Sequence, residues 1–165
     1  MKIRRANQAD IPALVALNRS VQELHARAWP DRFRSNVPAE SVAQAFEAML
    51  RAPSSYWLVA DAAEDDRDGQ PVAFLSAEFR EREETWCAVA QRVCYLGGIA
   101  VAPEFRRRGI ARALLTELQR EAEIRGVAHI DLDVWAFNSA ARQTFASLGF
   151  RGVMERMTLP GERPV

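Results

Sequence analysis

Two cysteines, Cys87 and Cys94, are all the thiol this 165-residue chain carries. No CxxC pair or Cys/His cluster surrounds them, so a zinc ribbon and a disulfide framework are excluded and two reduced thiols of an intracellular protein are expected. A charge excess is also missing. The 22 Lys and Arg balance 22 Asp and Glu, which argues against a bulk nucleic-acid binder. No apolar run approaches the length of a membrane span. The N-terminal MKIRRANQAD is basic but lacks the apolar stretch of a signal peptide. The reading is therefore a cytoplasmic protein with no nucleic acid, membrane or metal among its partners; a homodimer is left open. What remains is an ordinary globular composition, 48% apolar and 27% charged, long enough for a single domain over 1–165 with one core.

Along the chain, 2–6 reads as a short strand and Asp10 as the N-cap of a helix over 11–25, with Leu14, Leu17, Val21 and Leu24 at helical spacing. Pro38 opens a second helix to about Leu50. Tyr56 begins a compact apolar strand, 61–70 is an acidic hairpin loop, and 72–79 is the returning strand. A buried strand over 95–101 contains Gly97 and Gly98, read as a bulge or splay rather than a slack strand interior. A helix begins at Gly109 and stops at Gly126. A strand over 130–135, a helix capped by Asn138 and stopped by Gly149, and a strand over 153–159 complete the order β-α-α-β-β-β-α-β-α-β. This is an α/β (α+β) chain, with a mixed, mostly antiparallel sheet of about six to seven strands and helices on both faces.

The stretch IAVAPEFRRRGIA, 99–111, carries the chemistry. A buried strand turns through a basic loop directly into a helix. First-turn amides of a helix lack internal partners, and the helix dipole makes that end partly positive, so phosphate oxygens bind there. Gly109 leaves room where a Cβ would intrude. Arg106, Arg107 and Arg108 add charge suited to a pyrophosphate. A solvated helix start explains RRRG by itself; it does not explain the strand before it and the elements after it.

Those elements, with Arg106-Arg-Arg-Gly-Ile-Ala111, Val101-x-Pro103, Asn138 and Ser147-Leu-Gly-Phe150, resemble the R/Q-x-x-G-x-G/A signature and core motifs of the GNAT superfamily of N-acetyltransferases. The resemblance implies acetyl-CoA as co-substrate and a primary amine of a small molecule or peptide as acceptor, attacked through a tetrahedral intermediate. It implies cofactor contacts at Ile99, Ala100 and Val101 on the strand. Arg106, Arg107, Arg108, Gly109, Ile110, Ala111 and Arg112 would follow over the turn and helix start, and Asn138 and Phe145 on the last helix. It also implies a sheet opened beside Gly97 and Gly98, where the pantetheine arm pairs with backbone.

Chemistry sets further requirements. The amine must lose a proton, because a lysine-like ammonium has a pKa of about 10.4. Phe145 stands where many relatives place a proton-donating tyrosine, and a phenyl ring cannot donate. Tyr95 and Glu78 are the candidate catalytic residues; Glu81 and Glu83 are alternatives that also read as a solvated charge run, and His25 is another that also reads as a helix C-terminal histidine near the dipole. His25, Trp29 and Phe33, with Asp31, form the candidate acceptor-binding loop, or equally a lid on the core. Two rival functions are a protein N-terminal or lysine acetyltransferase, and a non-catalytic acyl-CoA-binding sensor. The acceptor's identity and the preferred acyl length are not legible.

Overall fold

Five strands, β1 (Lys2–Arg5), β2 (Ser55–Asp61), β3 (Pro71–Arg82), β4 (Gln91–Val101) and β5 (Ile130–Leu132), form in a computed structural model that describes residues 1–63, 69–127 and 129–159. The sheet order is β1-β2-β3-β4-β5. The first four strands are antiparallel neighbours, and β4 pairs with β5 in parallel. A parallel step needs a crossover, and α3 (Ile110–Ile124) supplies it. Before β2 come α1 (Ile11–Ala28) and α2 (Ala39–Arg51). The chain divides into two units, Met1–Asp133 and Val134–Val165; the second contains α4 (Ser139–Ser147).

Side chains alternate across a strand, so neighbouring residues of β2 serve different faces. Trp57 and Val59 meet Leu14 of α1 and Phe46 of α2, with Phe74 and Ala100 in the same cluster. Tyr56 points the other way, where the Arg125 guanidinium just past α3 lies 5.6 Å from its ring and 4.2 Å from that of Phe79. Leu114 and Leu118 of α3 are fully buried. Each such leucine contributes about 1.5–3 kcal/mol by leaving water. Both faces are covered by helix, as the pattern predicted.

Several expectations change. Asp10 makes no side-chain cap on α1. It ends a 3₁₀ turn at Gln8–Asp10, where its carboxylate accepts from the Asn7 N–H at 2.8 Å and the Asn7 side chain accepts from Ala9. The same carboxylate takes two hydrogen bonds from Arg4, at 2.7 and 2.8 Å. A guanidinium on β1 has claimed the group that helix chemistry alone would have used as a cap. The helix α1 runs three residues past His25, to Ala28. Of the acidic 61–70 loop, residues 64–68 lie outside the described residues.

The strand expected over 130–135 stops at Leu132, and that expected over 153–159 does not form. Val153 and Leu159 remain 90% and 94% exposed. Their alternation is strand-like, but a strand needs a ladder partner. The only other regular element described within Val134–Val165 is a helix. The sheet therefore has five strands among the described residues, not six or seven.

Candidate active site

Along the β3–β4 ladder, Ser76 stands opposite Gly98 and Ala77 opposite Leu96. Gly97 is an extra residue, a β-bulge. The bulge changes which face each side chain serves. Glu78 opposes Tyr95, while Phe74 opposes Ala100, so Tyr95 emerges on the α1–α2 face and Leu96 is buried on the other. Pairing with β5 covers only Cys94, Tyr95 and Leu96. It ends one residue before the bulge, and residues 97–101 continue with no strand on that side among the described residues. A strand edge is thus open beside the bulge, as expected for Gly97 and Gly98; Ile99, Ala100 and Val101 lie along it.

Beyond β4 the chain makes a 3₁₀ turn, Pro103–Phe105, and enters α3. Phe105 and Ile110 are buried, and the four residues between them are exposed. Buried anchors on both sides hold a solvent-facing arch. Arg107 has φ 62° and Gly109 φ 79°, with Arg108 between them on the negative side. Such alternation turns successive amides toward one concavity, an anion-binding arrangement. A left-handed φ on an arginine costs about 1–2 kcal/mol, which points to a use for this shape. No side chain caps α3, so the first-turn amides of Ile110, Ala111 and Arg112 face the arch. A Cβ on Gly109 would meet no protein atom within 4 Å; the space it would take is open to a ligand. The Arg106 Nε donates to the Val101 carbonyl at 3.1 Å, and the Arg108 guanidinium lies 5.0 Å from the Phe105 ring. The Arg106 hydrogen bond serves partly to fix the turn.

Glu78 and Tyr95 line one cleft of about 250 Å³, together with Gly97 and Ser76. The Glu78 carboxylate accepts from Arg80, and from the Ser54 hydroxyl at 3.1 Å. The Arg80 hydrogen bond holds Glu78 below the usual glutamate range against a smaller opposing effect of burial. It is an ionised group with weak basicity. The Tyr95 hydroxyl donates to Asp133 Oδ2 at 3.1 Å, and the Arg80 guanidinium lies 5.3 Å from its ring. Burial first, then the Asp133 carboxylate, pushes the Tyr95 phenol above its ordinary value of 10. Tyr95 keeps its proton at neutral pH and shares it with a carboxylate.

The other candidates fall elsewhere. His25 stacks on Phe33 with ring centroids 5.0 Å apart, and the Trp29 N–H donates to the His25 carbonyl at 2.9 Å. The three are brought together, yet none lines the cleft that holds Glu78 and Tyr95. Burial lowers the His25 pKa. Glu81 pairs with Arg92 at 3.3 Å and is 78% exposed on its side chain; Glu83 is exposed. Within the second unit, Asn138 caps α4 by accepting from the Ala141 N–H at 3.1 Å, as expected, and Phe145 packs edge-on against Phe150 at 5.6 Å. Sequence reading missed Asp133, Arg80 and Ser76. The i, i+2 spacing of Glu78 and Arg80 on a strand was the one signal for a pair on one face. Asp133 had no signal until the bulge turned Tyr95 toward it.

Comparison with known proteins gives a consistent picture. The model of the Acetyltransferase (GNAT) family matches residues 18–150. The [Ribosomal protein bS18]-alanine N-acetyltransferase of Escherichia coli (strain K12) is 51% identical over 55 residues, 33% of this chain and 37% of that protein. The aminoglycoside N(6')-acetyltransferase type 1 of Salmonella typhimurium is 31% identical over 83 residues, 50% of this chain and 57% of that protein. The chain thus spans between about a third and three fifths of the length of these curated relatives. Among solved structures, a tetramutant of the BH1408 protein from Bacillus halodurans superposes with a TM-score of 0.87 at 26% identity, covering 97% of this chain and 99% of that one. The aminoglycoside N-acetyltransferase AAC(6')-Iy, solved in complex with CoA, gives 0.70 at 25% identity over 98% and 94%. No helix among the described residues is long and apolar enough to cross a membrane.

Proposed function

The chain belongs to the GNAT acetyltransferase family, and on that premise we propose that it transfers an acetyl group from acetyl-CoA to a primary amine. The observation that carries this reading is the exposed arch of residues 106–109 running into an uncapped helix, beside a strand edge left open at a bulge. The arch suits the pyrophosphate: amides and helix dipole act at short range, and Arg106, Arg107 and Arg108 add screened charge. The edge of residues 97–101 suits an extended amide-bearing arm, which pairs as a surrogate strand.

Acetyl-CoA supplies the activated acyl group, a thioester carbonyl. The chain's own residues manage the amine. Glu78, kept ionised by Arg80, draws an ammonium into the cleft. Tyr95 then serves as a relay: its oxygen takes a proton from the amine nitrogen as its own proton passes to Asp133. The C–N bond forms and the C–S bond breaks; the second proton of the nitrogen leaves to solvent, and the thiolate takes a proton from solvent. Relays of this kind are worth about a hundredfold to ten-thousandfold in rate.

Thiol release from acetyl-CoA across a panel of amines tests the reading. Amine-dependent release is the expected result. Calorimetric binding of CoA without release for any amine would overturn it in favour of a sensor.

A further inference from the structure

We propose that the acceptor is a small zwitterion, an amine and a carboxylate on one compact apolar body such as a free amino acid, and that Arg80 reads its carboxylate. This deepens the acetyltransferase reading and rests on it. Size comes first. The cleft holds about 250 Å³, below the roughly 300–1,000 Å³ of pockets that enclose drug-sized ligands. Its volume matches one amino-acid-sized body. Its walls come next. Met49, Ala52 and Trp57 present an apolar side, and Glu78 and Arg80 a charged one.

The charged side has one carboxylate and one guanidinium, two residues apart on the same face of β3. In this structure they pair with each other. Their side chains are 39% and 51% exposed, and exposed pairs hold with only about 0–1 kcal/mol. A zwitterion opens the pair at little cost and replaces both halves: its ammonium meets Glu78 and its carboxylate meets Arg80. Each charge keeps a partner. A peptide N-terminus, an amide or a polycation brings no carboxylate and would part Arg80 from Glu78 with nothing in return. A guanidinium also binds a carboxylate through two parallel hydrogen bonds, which a neutral ester cannot reproduce.

Two contacts hold the reader in place. Ser54 fixes the far oxygen of Glu78 at 3.1 Å, and the Tyr95 ring lies under Arg80 at 5.3 Å. An amine held at Glu78 therefore sits beside Tyr95 and the bulge at Gly97, where the relay and the open strand edge meet. Carboxylate recognition and amine activation share one small space.

The test compares kcat/KM for aliphatic and aromatic L-amino acids with their amides, their decarboxylated amines, an alanine-led peptide and an aminoglycoside. In the parent protein the acids should exceed their amides by about tenfold or more, since a site built for a polar group rejects the analogue lacking it. In Arg80→Ala that ratio should fall toward one, and Arg80→Lys should restore part of it. The acid-to-amide ratio is the readout, because loss of fold or of cofactor binding lowers both rates together. Acetylation of the peptide or the aminoglycoside but of no free amino acid, or an unchanged ratio in folded Arg80→Ala, overturns this proposal and leaves the acetyltransferase reading standing. Silence with every amine overturns both.

Discussion

Tyr95 stands opposite Glu78 on the face of β4 that also carries Ala100, although five positions separate it from Ala100. In an uninterrupted strand an odd separation puts two side chains on opposite faces. Gly97 is the inserted residue that brings them to one face, and the cleft exists because of it.

Gly97 should be coupled to its cross-strand neighbour. A Cβ at Gly97 would lie 3.3 Å from the Ser76 hydroxyl, closer than an ordinary contact. Gly97→Ala should destabilise the parent by about 1 kcal/mol and the Ser76→Gly variant by less, a coupling typical of touching residues. Urea denaturation of the four proteins measures it; additive losses would show that the two positions do not communicate.

Gly109 separates stability from binding. Its φ of 79° disfavours any side chain, while no protein atom blocks one. Asparagine tolerates this region better than alanine, so stability should fall in the order Gly, Asn, Ala, Val. Affinity for CoA should drop sharply and by similar amounts in Gly109→Ala and Gly109→Asn, because both add the Cβ that fills the phosphate space. Calorimetry beside thermal melts distinguishes the two effects. Unchanged affinity in a folded Gly109→Val protein would remove the phosphate assignment.

The arginines should differ from one another. Arg108→Ala should weaken CoA binding by an amount that shrinks with added salt, since exposed charges are screened. Arg106→Ala should retain a salt-independent part, because the Nε bond to Val101 is lost as well. Titrations from low salt to about 1 M, where the screening length is roughly 3 Å, check both slopes.

Tyr95→Phe should lower turnover by at least about tenfold with little change in CoA affinity, and Asp133→Asn should do the same. The double variant should lose scarcely more than either, as members of one relay do. A pH-rate profile adds a sign. The Tyr95 phenol titrates above 10 in the folded protein, so its hydroxyl remains intact across the neutral range, and the stability it contributes is lost only as pH rises beyond that value. Full turnover of Tyr95→Phe with chemistry rate-limiting would return Tyr95 to a packing role.

Arg4 bridges Asp10 and Asp61, which are 5% and 7% exposed, at 2.7 Å to each. Burial pushes the Asp10 carboxyl up, but Arg4 and the Asn7 N–H outweigh it and hold it below its ordinary 3.8. Stability from this group is therefore present above that value and lost as pH falls through the lowered one. Arg4→Met should strand two buried carboxylates and destabilise the fold by about 3 kcal/mol at neutral pH. It should also reverse the sign of the acid limb: without Arg4, burial dominates and mild acidification stabilises. Denaturant midpoints between pH 3 and 7 report both.

The order of most elements, the ends of the last two helices, and the turn of residues 106–109 into α3 were legible in the sequence because each depends on neighbours along the chain. Asn138 caps the helix that follows it, and Gly109 sits where a strand hands over to a helix amide row. Asp10 was misread because its partner, Arg4, lies on another element. The strand expected at 153–159 failed for want of a ladder, which no local pattern supplies. The cleft was the least legible part. Gly97-Gly98 signalled a bulge, but only the register against β3 turned Tyr95 toward Glu78 and Asp133 and left Leu96 in the core. Local propensity is written in consecutive residues; which face a side chain serves is decided by the strand beside it.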